Sequence, residues 1–220
     1  MNQFRNERKF IFIESATFLE KYFKSHGASD QYPERQVNSI YFDSYLNEDL
    51  INSIEGINLR SKTRLRWYGN IFDTTLNGKI EKKIKRNNQN FKLSYRLDGF
   101  KVNKNFNTKD FSSFIDDQLK KNNELYYDIK TKEFNVFVSY KRKYLILKNI
   151  RLTIDYNICF INLRKIKLFS QNNLNSINQK RIVEIKYLDD FHKDLTSITK
   201  LFKNRLSKFS KYQAGFFESF

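Results

Sequence analysis

Residues 62–68, KTRLRWY, constrain this chain more than any other stretch. Lys62, Arg64, Arg66 and Tyr68 occupy every second position, with Thr63, Leu65 and Trp67 between them. Successive side chains of a β-strand point to opposite faces, so this segment presents one cationic face and one apolar face. A fold that uses it must cover the apolar side. It must also leave the cations in water or give them an anion to hold.

The same design recurs. In RNERKFIFI, Arg5, Glu7 and Lys9 share a face continued by Ile11 and Ile13, with Phe10 and Phe12 opposite. In KIEKKIK, Glu81, Lys83 and Lys85 lie opposite Ile80 and Ile84. Arg151, Thr153 and Asp155 alternate with Ile150, Leu152, Ile154 and Tyr156, and Glu184 and Lys186 alternate with Val183, Ile185 and Tyr187. Arg142 sits in SYKRKY with Tyr140 and Tyr144 on its own side. One such strand reads as the wet face of an ordinary antiparallel sheet. Repeated in at least five strands, three with a Glu-x-Lys spacing, the pattern predicts a surface of mixed but net positive charge. If the sheet curls into a barrel, that surface lines its lumen, where crowded like charges call for a polyanion.

Strands are expected over 4–13, 37–43, 59–69, 78–85, 91–98, 134–147, 149–160 and 180–188, separated by turn-forming clusters such as YGN and NNQN. Helices are expected over about 15–25, with Ser15 as its cap and Gly27 beyond its end, over 111–121, and over 189–206. The last carries Phe191, Leu195, Ile198, Leu201 and Phe202 on one face, and SQNNLNSINQ at 170–179 reads as a polar loop. Many strands with few helices between them give an α+β fold: an antiparallel sheet or closed barrel with helices packed outside. With no linker composition and no repeat, residues 1–220 are expected to form a single domain.

The 41 Lys plus Arg against 24 Asp plus Glu give a formal charge of +17, which draws anions. A phosphate-rich guest fits best, because Arg presents paired donors to phosphate oxygens and Lys adds a mobile charge. Carboxylates in such a site make sense as ligands of Mg²⁺ or Mn²⁺ shared with phosphate, or as ion-pair partners of neighbouring cations. Glu7, Glu81, Asp43 and Asp155 stay open between those roles. Cys159 is the single cysteine, which excludes an intrachain disulfide and a cysteine-based zinc site. The start, MNQFRNERKF, lacks a signal-peptide core, and no apolar run is long enough to span a bilayer. The expectation is a soluble cytoplasmic protein, and nothing in the residues names a membrane-protein partner. No phosphate-binding glycine loop, zinc finger or RNA-binding signature appears, so nucleic acid is not expected as a partner.

In order through the chain stand RNERK, NSIYFDS, RLRWYG, IEKKIK, SYKRKY, RLTID, VEIKY and SKFSKYQAG. Together they resemble the catalytic domain of the vacuolar transporter chaperone (VTC) family, a branch of the triphosphate tunnel metalloenzymes. The resemblance implies a barrel of eight antiparallel strands whose tunnel binds ATP, polyphosphate or triphosphate with Mn²⁺ or Mg²⁺. It implies transfer of the ATP γ-phosphate to a growing polyphosphate chain; related tunnels hydrolyse triphosphate instead, and a non-catalytic polyphosphate-binding module is a third reading. Matched position by position, Lys9, Arg64, Arg66 and Arg142 should act at the reacting phosphates. Lys83, Arg151, Lys208 and Lys211 should bind phosphate, and Glu184 should hold the metal. Either Lys92 or Arg96 should supply a further contact, while Lys62, outside the matched motif, is placed at the rim. Neither His26 nor His192 is expected to be catalytic.

Overall fold

The structure, a computed structural model, describes residues 6–72, 74–87, 89–102, 108–119, 123–165, 175–177, 180–188, 192–199 and 206–218. In chain order the elements are β1 (Asn6–Phe12), α1 (Ala16–Ser25), β2 (Ser29–Asp43), α2 (Glu48–Glu55), β3 (Leu59–Tyr68), β4 (Thr74–Arg86) and β5 (Gln89–Val102). They continue with α3 (Thr108–Leu119), α4 (Asn123–Lys130), β6 (Glu133–Leu147), β7 (Ile150–Asn162), β8 (Asn175–Ile177), β9 (Arg181–Tyr187), α5 (His192–Thr199) and α6 (Lys211–Glu218).

The strands hydrogen-bond in the order β1-β9-β7-β6-β2-β3-β4-β5, with the short β8 on β7. The registers are antiparallel. The α+β class therefore holds. The path ends at β1 and β5, and among the described residues no pairing joins those two strands, so the pairing does not close the sheet into a barrel.

The chain divides into two compact units. The first comprises Met1–Gln36, Tyr140–Ile158 and Ser176–Ser210; the second comprises Val37–Ser139, Cys159–Asn175 and Lys211–Phe220. Each has its own apolar core. In the first, Phe10, Phe12, Leu19, Phe23, Leu152, Ile154, Val183 and Ile185 pack together. These are the apolar faces of β1, β7 and β9 closed by the stripe of α1. Ser15 Oγ accepts the Phe18 N–H at 3.1 Å and caps that helix, and Gly27 follows its end at φ +91°.

In the second unit Ile40, Leu65, Trp67, Ile80 and Leu97 meet Phe111, Ile115, Phe134 and Phe137. Leu65 and Trp67 are wholly buried. The Trp67 ring lies 5.9 Å from Phe137, and its Nε1–H donates to the Asn70 carbonyl at 3.2 Å. Trp67 is a packing residue.

Several boundaries differ from expectation. β2 begins at Ser29 rather than 37, because Ser29–Arg35 is almost wholly exposed and carries no alternation to announce it. α2, α4 and α6 add to the three expected helices. α2 has no side-chain cap from Asn47; Asp43, at the end of β2, accepts the N–H groups of Asp49 and Leu50, both at 3.0 Å. A cap that far upstream is invisible to a search for adjacent signals. Of the expected 189–206 helix, His192–Thr199 is α5; Phe191, Leu201 and Phe202 lie outside the described residues, as does Arg5. Within the expected loop at 170–179, residues 175–177 form β8 and the rest lies outside the described residues. No helix among the described residues is long and apolar enough to cross a membrane.

Candidate functional site

In the second unit, strand register stacks the charges in rows. Across β3, β4 and β5 stand Arg60–Lys85–Asn90, Lys62–Lys83–Lys92, Arg64–Glu81–Ser94 and Arg66–Lys79–Arg96. Two-residue steps keep all of them on one face. Like charges directly opposite one another destabilise a sheet, so these rows work against the fold that carries them. One carboxylate relieves them. Glu81 accepts Arg64 Nε at 2.9 Å and Nη2 at 2.7 Å, accepts Lys92 Nζ, and lies 3.8 Å from Arg66 Nη1. Burial would raise its pKa, but the guanidinium groups of Arg64 and Arg66 carry it down to about 2. Glu81 thus stands as the ion-pair partner of Arg64 and Lys92.

On the same face, buried beside these rows, lies Tyr41, which stands opposite Arg64 on β2. Its hydroxyl accepts Arg64 Nη1 at 3.2 Å, and its ring stacks on Tyr212 at 4.9 Å and 13°. Burial would raise the phenol's pKa, yet the charges of Arg64, Arg66 and Lys211 bring it to about 8. Tyr212 in turn donates to Asp43, and Asn135 Nδ2 donates to the Tyr212 hydroxyl at 3.0 Å. These bonds fix α6, and with it Lys211, in the second unit. Asp43 is accordingly a structural acceptor.

The first unit holds the other predicted residues. Lys9 on β1 stands opposite Glu184 on β9, which stands opposite Thr153 on β7; Glu7, Lys186 and Arg151 form the adjoining row. Lys9 Nζ is 3.0 Å from Glu7 and donates to the Phe209 carbonyl at 3.3 Å. Lys186 Nζ is 2.8 Å from Glu184 and 3.5 Å from Glu7. Burial would raise the Glu184 pKa, but Lys186, Arg142 and Lys9 hold it well below the carboxylate range. Arg142 donates through Nε and Nη2 to Asp155, the second contact at 2.7 Å, so Asp155 is a buried ion-pair partner. Arg151 and Lys186 line a cavity of about 340 Å³ with Gln31 and Tyr187. Ser207 N–H donates to the Lys9 carbonyl at 2.8 Å, which lays the exposed Lys208 along β1. Helix α6 starts only at Lys211, so Lys208 and Lys211 do not share a helical face and fall in different units.

A divalent cation would find Glu184 as its carboxylate. Among the described residues no three His, Cys, Asp or Glu side chains gather as a metal cage. Thr153 Oγ1, buried and opposite Glu184, has no hydrogen-bond partner among the described residues. One ionised carboxylate and an orphan hydroxyl fit a hard cation that takes its remaining ligands from phosphate oxygens.

Residues 4–219 of the chain match the model of the VTC domain. The chain belongs to the VTC domain family. VTC membership is not accompanied by any match among curated proteins. Solved structures share the fold at low identity. A Hippeastrum protein provisionally named an adenylyl cyclase, and described as revealing a dominant triphosphatase activity, has a TM-score of 0.57 at 11% identity, covering 96% of this chain and 94% of that one. A provisionally named adenylate cyclase from Bacillus halodurans scores 0.54 at 13% identity over 94% of each chain. Another from Vibrio parahaemolyticus scores 0.52 at 10% identity over 96% of each.

The sequence reading of this VTC domain passed over Lys79 and Tyr41 and left Lys62 at the rim. Lys62, placed at the rim, stands opposite Lys83 within a cationic row. Lys79 faces Arg66 and Arg96, and extending the period of GKIEKK one step back from Glu81 would have found it. Tyr41 owes its place to a partner, Tyr212, that lies far along the chain. As for the choice between Lys92 and Arg96, both side chains stand on the charged face, and only Lys92 bonds Glu81 among the contacts described.

Proposed function

We propose that this VTC domain is a divalent-metal-dependent phosphotransferase that moves the γ-phosphate of ATP onto the end of a polyphosphate chain and releases ADP. The face of β3, β4 and β5 carries this reading: Arg60, Lys62, Arg64, Arg66, Lys79, Lys83, Lys85, Lys92 and Arg96 stand there with the carboxylate of Glu81 among them. From Arg60 to Arg66 the rows run about 20 Å, at about 3.3 Å per residue. That length suits a chain of phosphates better than one phosphoryl group.

Phosphoryl transfer asks the protein for position and charge more than for covalent help. Arg64, Arg66, Arg142 and Lys9 hold the oxygens of the reacting phosphates, Arg fixing their orientation through paired donors. Lys83, Arg151, Lys208 and Lys211 bind the flanking phosphates. Glu184 would hold Mg²⁺ or Mn²⁺, which when bound neutralises charge on the transferred group. An oxygen of the terminal phosphate attacks Pγ, and the bond from Pγ to the ADP oxygen breaks. That nucleophile is already anionic, so no strong base is required and neither histidine is needed.

Hydrolysis is the rival, favoured by the triphosphatase activity described for the Hippeastrum neighbour. Incubation with ATP and Mn²⁺, with and without a short polyphosphate primer, separates them. ADP with lengthened chains supports the transferase, orthophosphate with no chains overturns it in favour of a hydrolase, and tight polyphosphate binding without turnover leaves a binding module. Arg66→Ala should lower turnover about 10²-fold, as loss of a transition-state donor does. Turnover close to wild type would remove Arg66 from the reaction.

A further inference from the structure

In the first unit a ladder of aromatic rings and guanidinium groups leads away from Arg142. Its Cζ lies 5.2 Å from the centroid of Tyr140 and 6.0 Å from that of Tyr144. Tyr144 is shared: Arg35 Cζ lies 5.9 Å from the same ring and 5.7 Å from the ring of Tyr32. The two tyrosines meet edge to face, with centroids 5.8 Å apart at 87°. Tyr32 is 49% exposed, so the ladder begins at the half-buried Arg142 and ends with an accessible ring.

The chemistry changes along it. A cavity of about 450 Å³ opens beside the outer end, lined by Tyr32, Pro33 and Tyr144 with Asp30, Gln31 and Glu34. Its size is that of a small-molecule pocket. The carboxylates of Asp30 and Glu34, paired with Lys24 and Lys143, have lone pairs left to accept hydrogen bonds from ribose hydroxyls or an exocyclic amine. Lys143 bridges Glu34 at 3.0 Å and Glu20 at 2.9 Å, which holds that wall in place. Tyrosine and guanidinium faces stack on any nucleobase. The phosphate-binding Arg142 and the ring of Tyr144 share one strand face two residues apart, about 6.6 Å along it.

We propose that Tyr32, Arg35 and Tyr144 form a nucleobase subsite, which receives the base of a nucleoside triphosphate whose phosphates lie on Arg142. The inference rests on the phosphate-binding role given to Arg142 above. It extends that role by making the site distinguish a nucleotide from a bare phosphate chain.

The test compares ATP with inorganic tripolyphosphate, both with Mn²⁺, by calorimetry on the full chain. Tyr32→Ala should weaken ATP about tenfold, the scale of one base–aromatic contact, and leave tripolyphosphate unchanged. Tyr32→Phe, which keeps the ring, should bind ATP as the wild type does. Arg35→Gln should weaken ATP and spare tripolyphosphate. Wild-type binding of tripolyphosphate without ATP, or Tyr32→Ala binding ATP normally, would overturn the subsite and leave the phosphate reading standing. Equal loss of both ligands in Tyr32→Ala would overturn it too, by giving Tyr32 a merely structural role. Wild-type protein that bound neither ligand would sink the phosphate reading and the subsite with it.

Discussion

At the scale of single residues, Glu81 and Tyr41 respond to the same cations as the substrate would. Glu81 neutralises Arg64 and Lys92 when no polyanion is present, so it competes with phosphate for them. Glu81→Gln should therefore bind tripolyphosphate more tightly than wild type while the ligand-free protein loses about 3 kcal/mol, the cost of stranding charges in a partly buried pair. Paired calorimetry and denaturation check this; weaker binding would mean that Glu81 assists phosphate rather than opposing it. The pKa of Glu81 is lowered from 4.5 to about 2, so its contribution is complete above pH 4.5 and disappears as pH falls toward 2. Tyr41 acts at the other end of the scale. Its pKa falls from 10.0 to about 8, so the phenolate adds stability that is complete above pH 10 and is lost as pH falls through 8. In the same window the phenolate repels phosphate from Arg64. Tripolyphosphate affinity should decline as pH rises past about 8, and Tyr41→Phe should flatten that decline without altering binding below it. A wild-type decline that survives in Tyr41→Phe would assign the titration to another group.

At the scale of elements, α6 shows why SKFSKYQAG contains a glycine. A methyl group at Gly215 would lie 2.6 Å from Val136 Cγ1 and 2.7 Å from Phe160 Cδ1, so only glycine lets this helix approach β6 and β7 so closely. Gly215→Ala should cost about 1–3 kcal/mol by overpacking, read by denaturation, and by lifting α6 it should also weaken phosphate binding through Lys211. Loss of stability with unchanged binding would separate Lys211 from the site. The strands themselves were legible because period-two alternation survives wherever one face is buried, as Leu65 and Trp67 against Arg64 and Arg66 demonstrate. Helix α2 was not, because its cap, Asp43, comes from a strand end and its exposed Ile51 and Ile54 blur the apolar stripe. Individual cations were legible in the motifs; their rows were not. That Lys62, Lys83 and Lys92 oppose one another depends on register between strands, which a single sequence does not state.

At the scale of the molecule, the +17 charge gives this chain an unusual response to salt. Neighbouring strands are about 4.8 Å apart, so opposed cations repel within the Debye length of about 10 Å at 0.1 M salt and lie beyond the roughly 3 Å that holds at 1 M. Salt should therefore raise the melting temperature of the ligand-free protein, whereas a fold held by exposed ion pairs would gain nothing from it. Tripolyphosphate at about 100 times its Kd should stabilise by about 2.7 kcal/mol, which for a chain of this size is a rise of roughly 5–10 °C. The two effects share one origin, since both silence the same repulsion. They must then compete: the rise produced by tripolyphosphate should be largest at 0.1 M and shrink strongly at 1 M, while the ligand-free midpoint moves upward. Melting curves over a grid of salt and tripolyphosphate concentrations decide the matter. Additive shifts would mean that salt and ligand act on different charges, and the cationic rows of β3, β4 and β5 would lose their claim to the phosphate chain.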